Sequence, residues 1–148
     1  MPLRPPMEYS KSGLTFTERF EQFRDKAYRD TGGVWTIAWG HTRGVKEGDT
    51  CDRLQGDAWL LEDVAIAVAD VNRVVSVRLT QNEFDALVDF TFNCGTKALN
   101  GSHLLAFLNG GELERAEAQF AEWDHVGGHV VAGLLRRRLD ERNLFERV

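Results

Sequence analysis

The chain has 148 residues, a formal net charge of −5, and 43% hydrophobic against 28% charged residues. That is the size of one domain, which buries roughly 70% of the surface its unfolded chain would expose, and the composition excludes disordered and collagen-like chains. The acidic balance argues against a nucleic-acid partner, which needs a surplus of Lys and Arg on some face.

Residues 1–12 hold all three prolines and show no helical periodicity, which predicts a tail or extended strap ahead of a domain over residues 13–148. The N-terminus has no apolar leader. No stretch approaches the ~18 apolar residues of a membrane helix, so neither self-directed export nor stable membrane insertion is expected.

Leu14, Phe16, Phe20 and Phe23 recur at helical spacing, predicting a first helix from Leu14 to about Arg24 with Thr15 or Thr17 as its cap. Residues 25–47 are broken by Gly32, Gly33, Gly40 and Gly44 between Thr, Trp, Ile and Val, which predicts short strands and tight turns. A long helix follows from about Asp52 to Val75, with Leu54, Ala58, Leu61, Ala65, Val68 and Val71 as its apolar stripe. Thr80-Gln81-Asn82-Glu83 is a capping-box signature opening a helix that buries Phe84, Leu87, Val88 and Thr91 and stops at Gly95.

Helices are also predicted over about Ser102–Leu108 and Glu112–Trp123, then a loop or hairpin over Val126–Val131. A last helix should start after Gly133, run to about Glu146 and bury Leu134, Leu135, Leu139 and Phe145. With β order only near the front, the class is α+β.

Glycoside hydrolysis calls for one carboxylic acid to protonate the leaving oxygen and a second carboxylate across the sugar. Glu21, flanked by Phe20 and Phe23, suits the first place, and Asp30, in a polar turn before Thr31-Gly32-Gly33, suits the second. Each also has an ordinary reading, Glu21 as a solvated helix position and Asp30 as a turn former. The run Arg136-Arg137-Arg138 has the ordinary reading of a solvated helix face, while Arg138 and Glu141 stand at the three-residue spacing of an ion pair on one helix. Cys51 and Cys94 form no CxxC pair and read as free thiols. His125 and His129 are separated by Gly127-Gly128, which breaks helical ligand spacing, so no metal and no cofactor is expected.

Longer blocks around these residues carry a resemblance. Phe20-Glu21-Gln22-Phe23-Arg24, Ala27-Tyr28-Arg29-Asp30, Thr36-Ile37-Ala38-Trp39-Gly40-His41-Thr42, the run Phe84–Gly95, Gly133-Leu134, Arg137-Arg138 and Glu141 occur in an order similar to that of the phage-type lysozymes, the muramidase family of phage endolysins. The similarity covers residues 13–146. It implies a lysozyme-like α+β fold, a small β-sheet lobe and a larger helical lobe joined by a long helix, with a cleft between them.

It also implies hydrolysis of the β-1,4 bond between N-acetylmuramic acid and N-acetylglucosamine in bacterial peptidoglycan. Glu21 would be the general acid, Asp30 the second carboxylate and Thr36 a partner for the attacking water. Asn93, Trp39 and Arg137 would contribute to substrate binding, and His41 would pair with Asp63 in a structural role. The resemblance further implies a monomer that accumulates in the host cytoplasm before release to the wall. The competing expectation is a catalytically silent lysozyme-like protein that binds peptidoglycan.

One departure from the family pattern is Ala38-Trp39, where a Gly commonly precedes the second residue. If that Gly serves close packing, Ala costs little; if it serves a positive φ, Ala is strained.

Overall fold

Helix α1 spans Lys11–Glu21 and begins ahead of Leu14. Ser10 Oγ accepts the Gly13 N–H at 2.9 Å, so Ser10 sits where a cap should, in place of Thr15 or Thr17, and Thr17 is buried within the helix. The helix ends at Glu21 rather than near Arg24, because Gln22 turns into the left-handed region at φ 52°. The computed structural model describes residues 4–126, 129–130 and 132–147.

Strands β1 (Arg24–Arg29) and β2 (Trp35–Ala38) pair antiparallel, with Tyr28 opposite Thr36 and Arg29 opposite Trp35. Ile37 and His41 exchange both backbone hydrogen bonds at 2.9 Å, closing a tight turn over Ala38-Trp39-Gly40. Asp52 Oδ1 then accepts the Gln55 N–H at 2.8 Å and starts α2, which spans Arg53–Val74.

Within α2 the buried stripe is Leu60, Val64, Ala67 and Val71, whereas Leu54 and Leu61 are exposed, at 81% and 51%. Of the expected stripe, Val71 alone joins the buried one; Leu54, Ala58, Leu61 and Ala65 face outward. Apolar residues recur at helical spacing on two faces of this helix, and periodicity alone does not say which meets the core.

Contacts divide the chain into two compact units, Leu14–Ala65 and the N-terminal residues up to Gly13 with Ile66 onward; the division falls within both α1 and α2. In the first unit, Ile37, Trp39, Leu60 and Val64 are buried.

In the second unit, residues 4–10 have no regular structure but are docked. Met7 N–H donates to Asn72 Oδ1 and Asn72 Nδ2 returns a bond to the Met7 carbonyl, both at 2.9 Å, while Ser10 Oγ bonds Asp85. Helix α3 (Gln81–Cys94) opens on the predicted capping box at Thr80 and Glu83 and stops at Gly95. Every residue from Phe84 to Thr91 is buried, so α3 is enclosed on all sides.

Around it lie α4 (Thr96–Asn100), which the sequence did not announce, α5 (His103–Asn109), α6 (Leu113–Gln119) and a 3-10 turn at Phe120–Glu122. Strands β3 (His125–Val126) and β4 (His129–Val130) pair antiparallel, and α7 spans Ala132–Glu146. Of the predicted hairpin, Gly127, Gly128 and Val131 lie outside the described residues. Phe90 meets Phe120 and Trp123 edge-on at centroid distances of 5.7 and 5.6 Å. Helix α7 buries Leu144 and Phe145 but also Arg137, Arg138 and Glu141, while Leu139 is exposed. Among the described residues the helices dominate two small two-stranded sheets, an α+β architecture.

Ala38 is fully buried at φ 56°, so the conformational case of the two holds. A non-glycine residue enters that region at a cost of about 1–2 kcal/mol. Ala38→Gly is therefore expected to stabilise the fold by roughly 0.5–1 kcal/mol, net of the extra freedom Gly gives the unfolded chain. Calorimetry should show the thermal midpoint rising by about 2–4 °C per kcal/mol. A lower midpoint would mean that the Ala38 methyl, seated against Gly56, contributes more than the strain removes.

Candidate functional site

Glu21 is the last residue of α1, and its side chain is half-buried. A Cβ added to Gly40 would lie 2.8 Å from Glu21 Oε2, and Gly40 itself has φ 75°. The turn after β2 thus comes against the Glu21 carboxyl, and its left-handed backbone is what calls for glycine there, while a side chain would also push the Glu21 carboxyl aside. Glu18, one helical turn earlier, is pushed up from the ordinary carboxyl range first by burial and then by Asp57, with Arg53 opposing.

Asp30 stands at the β1–β2 turn and is exposed. Its Oδ1 accepts the N–H groups of Gly32 and Val34, both at 2.9 Å, so the same side chain builds the turn and presents a second carboxylate oxygen that takes no part in those bonds. Thr36 is buried, and its hydroxyl donates to the Val34 carbonyl at 2.9 Å. Asp30 N–H also donates to that carbonyl, at 3.0 Å. The Val34 peptide groups therefore hold Asp30 and Thr36 in one fixed relation.

Trp39 is only 7% exposed. Its indole N–H donates to Asp57 Oδ1 at 2.9 Å, and its ring lies against Phe23 and under the Arg53 guanidinium. His41 Nδ1 is 2.8 Å from Asp63 Oδ2, and the imidazole stacks on Trp59 at 4.6 Å with a 5° interplanar angle. This contact joins the turn after β2 to α2.

Asn93, Arg137 and Arg138 belong to the second unit. Arg137 makes a two-bond fork with Asp89, Nε to Oδ2 at 2.9 Å and Nη2 to Oδ1 at 2.8 Å. Arg138 does the same with Glu141, at 2.6 and 2.8 Å. It also donates to Asn93 Oδ1 at 2.9 Å and lies 5.3 Å from the Phe90 ring centroid. The Arg138–Glu141 pair is the one their three-residue spacing predicts; against the solvated-face reading, Arg137 and Arg138 are buried in an ion cluster, and of the three only Arg136 is exposed. Asn93 is exposed, its oxygen fixed by Arg138 and its NH2 outside that bond.

Glu141 is pushed well above the ordinary carboxyl range, by burial first and then by Asp89, while Arg138 pulls it down. Burial pushes the Cys94 thiol up to about 11 although Arg138 Nη1 is 2.7 Å from its sulfur, which disfavours the thiolate form.

Sequence reasoning did not single out Asp57, Asp89 or the contact of Gly40 with Glu21. Asp89 left a trace. It lies four residues after Asp85 within the otherwise apolar run Phe84–Phe90, and a carboxylate buried in such a setting requires a partner from another element.

The phage lysozyme family model matches residues 18–141. The endolysin of Acyrthosiphon pisum secondary endosymbiont phage 1 is 40% identical over 144 residues, covering 95% of this chain and 99% of its own. The endolysin of Bacillus phage B103 is 37% identical over 142 residues; the match takes in 94% of this chain but only 54% of that longer protein. Among solved structures, the muramidase domain of SpmX from Asticaccaulis excentricus superposes with a TM-score of 0.89 at 36% identity, over 95% of this chain and 99% of that one. With a family model matched over most of its length and a full-length relative at this identity, the chain belongs to the phage lysozyme family.

Proposed function

We propose that this chain is a peptidoglycan hydrolase of the endolysin type that cuts the β-1,4 bond between N-acetylmuramic acid and N-acetylglucosamine, with residues 13–148 as its catalytic domain. In this reading Glu21 protonates the leaving oxygen, and Asp30 is the carboxylate on the other side of the sugar. Thr36 spends its only hydroxyl proton on the Val34 carbonyl, which leaves its oxygen as an acceptor that orients a water for attack on the anomeric carbon.

The observation that carries the assignment is the Val34 arrangement. Asp30 and Thr36 are held by the two polar groups of one peptide unit and its neighbour in a chain of matching family. Burial of Trp39 and the fork on Arg137 favour supporting roles for these two, leaving Asn93 as the side chain that offers its amide to an acetamido group.

Among the described residues no helix is long and apolar enough to cross a membrane. As a separate part of the reading, the protein accumulates in the host cytoplasm as a monomer and is then released to the wall.

Purified sacculi digested with the wild-type protein and examined by mass spectrometry should yield soluble muropeptides with reducing N-acetylmuramic acid ends. Anhydro ends would replace hydrolysis by transglycosylation. Retention of the protein on undigested sacculi would replace it by binding alone.

A further inference from the structure

We infer that the helical unit carries a binding site for an oxyanion of the phosphate class, built from Arg4 and Arg78, neither of which belongs to the hydrolytic set. Arg4 is 5% exposed. Its guanidinium donates to the Pro5 carbonyl, to Asn72 Oδ1 and to the Val71 carbonyl, each at 3.2 Å. All three acceptors are neutral, and all three bonds are longer than the 2.7–2.9 Å typical of contacts with a counter-ion. Nε is buried with no hydrogen-bond partner among the described residues. The Phe84 ring, 5.9 Å from the Arg4 guanidinium carbon, adds only the weak attraction of an aromatic face.

A buried charge without an opposite charge is costly, and burial accordingly lowers the Arg4 pKa from its ordinary value. Arg137 and Arg138 in the same unit are buried to a similar degree, and each has its own carboxylate fork. Arg4 makes no ion pair among the described residues, although the chain as a whole carries excess acid. The missing charge has a place to go. A cavity of about 330 Å³ is lined by Arg4, Pro5, Pro6, Met7, Arg78 and Leu79.

Arg78 is exposed and also makes no ion pair among the described residues. Two guanidinium groups offer more donors than one planar carboxylate can accept, which favours the three terminal oxygens of a phosphate group. The remaining wall of Pro5, Pro6, Met7 and Leu79 is apolar, so the group carrying the phosphate can be uncharged. A free phosphate compound and a phospholipid headgroup share this chemistry. Because Arg4 sits in the strap that Asn72 and Asp85 hold down, anion binding also fastens the strap.

The test uses the full chain and inorganic phosphate against sodium chloride at matched ionic strength. Wild type should show a saturable rise in thermal midpoint with phosphate. Arg78→Gln, at an exposed position, should keep its chloride midpoint and its wall-hydrolysing rate but bind phosphate roughly tenfold more weakly, the loss of one charge-assisted contact of about 1.4 kcal/mol. Arg4→Lys, which keeps the charge but loses the fork, should weaken phosphate binding as well.

A second arm separates the sources. Retention on phosphatidylglycerol vesicles over phosphatidylcholine ones, lost in Arg78→Gln, supports a lipid headgroup, whereas a phosphate shift without vesicle retention supports a soluble ligand. Equal midpoints in phosphate and chloride, or an equal phosphate response in wild type and Arg78→Gln, would overturn the site. Neither result depends on whether the chain hydrolyses peptidoglycan.

Discussion

Glu21→Gln is expected to slow release of muropeptides from sacculi by about 10²–10⁴-fold, the usual contribution of a positioned general acid. Gln keeps the length and shape of the side chain at the end of α1 and so keeps its approach to Gly40. On the proposed mechanism, what it removes is the proton that the leaving oxygen needs. The thermal midpoint, measured beside the rate, separates chemistry from damage. A large rate loss with little change in midpoint is the expected pairing, and a wild-type rate would end the general-acid assignment.

Asp30 gives the companion experiment. Its turn depends on Oδ1 accepting from Gly32 and Val34, a role Asn can keep and Ala cannot. Asp30→Asn should therefore lose activity without losing the turn, whereas Asp30→Ala loses both. Equal activity in wild type and Asp30→Asn would reduce Asp30 to a turn former.

The second large effect is on stability. Arg138→Met leaves Glu141 and Asp89 enclosed with one guanidinium fewer, and breaking a buried pair from one side costs about 3–5 kcal/mol. The loss should depend on pH in a definite direction. The fold already holds Glu141 above the ordinary carboxyl range, through burial and then Asp89, so its stabilising contribution is full below the unfolded carboxyl pKa and fades as pH rises through the raised one. Arg138 is the group that opposes this shift. Without it the decline should steepen, and urea unfolding should find Arg138→Met weaker at pH 8 than at pH 5. Adding Glu141→Leu should recover much of the loss, since a paired replacement leaves no orphan charge. A single variant as stable at pH 8 as at pH 5 would mean that Glu141 finds another partner.

Much of the architecture could be read from residues because local rules acted unopposed. The Thr80 and Glu83 box, the Gly95 stop and the alternation of Gly with β-formers before His41 each fix local geometry with nearby atoms. The errors lie where a distant element decides. Leu54 and Leu61 fit a helical stripe as well as Leu60 and Val64 do, and only packing selects between them. The Arg138–Glu141 pair follows from local spacing, but the burial of Arg137 shows only once Asp89 of another helix is seen to meet it. At the candidate site, residue types and order were legible, while the means of holding them were not. The bonds to Val34 and the space at Gly40 belong to backbone, which sequence patterns describe poorly.

Val34 itself has a consequence for how such a protein is studied. Its side chain is 47% exposed and does nothing for Asp30 or Thr36, yet its N–H and carbonyl hold both. A scan that replaces side chains one at a time with alanine is blind to it, because alanine supplies the same amide and the same carbonyl. The position is free to drift in identity while remaining fixed in backbone chemistry. Replacing its amide with an ester, or its residue with proline, which lacks the N–H, is what exposes the dependence.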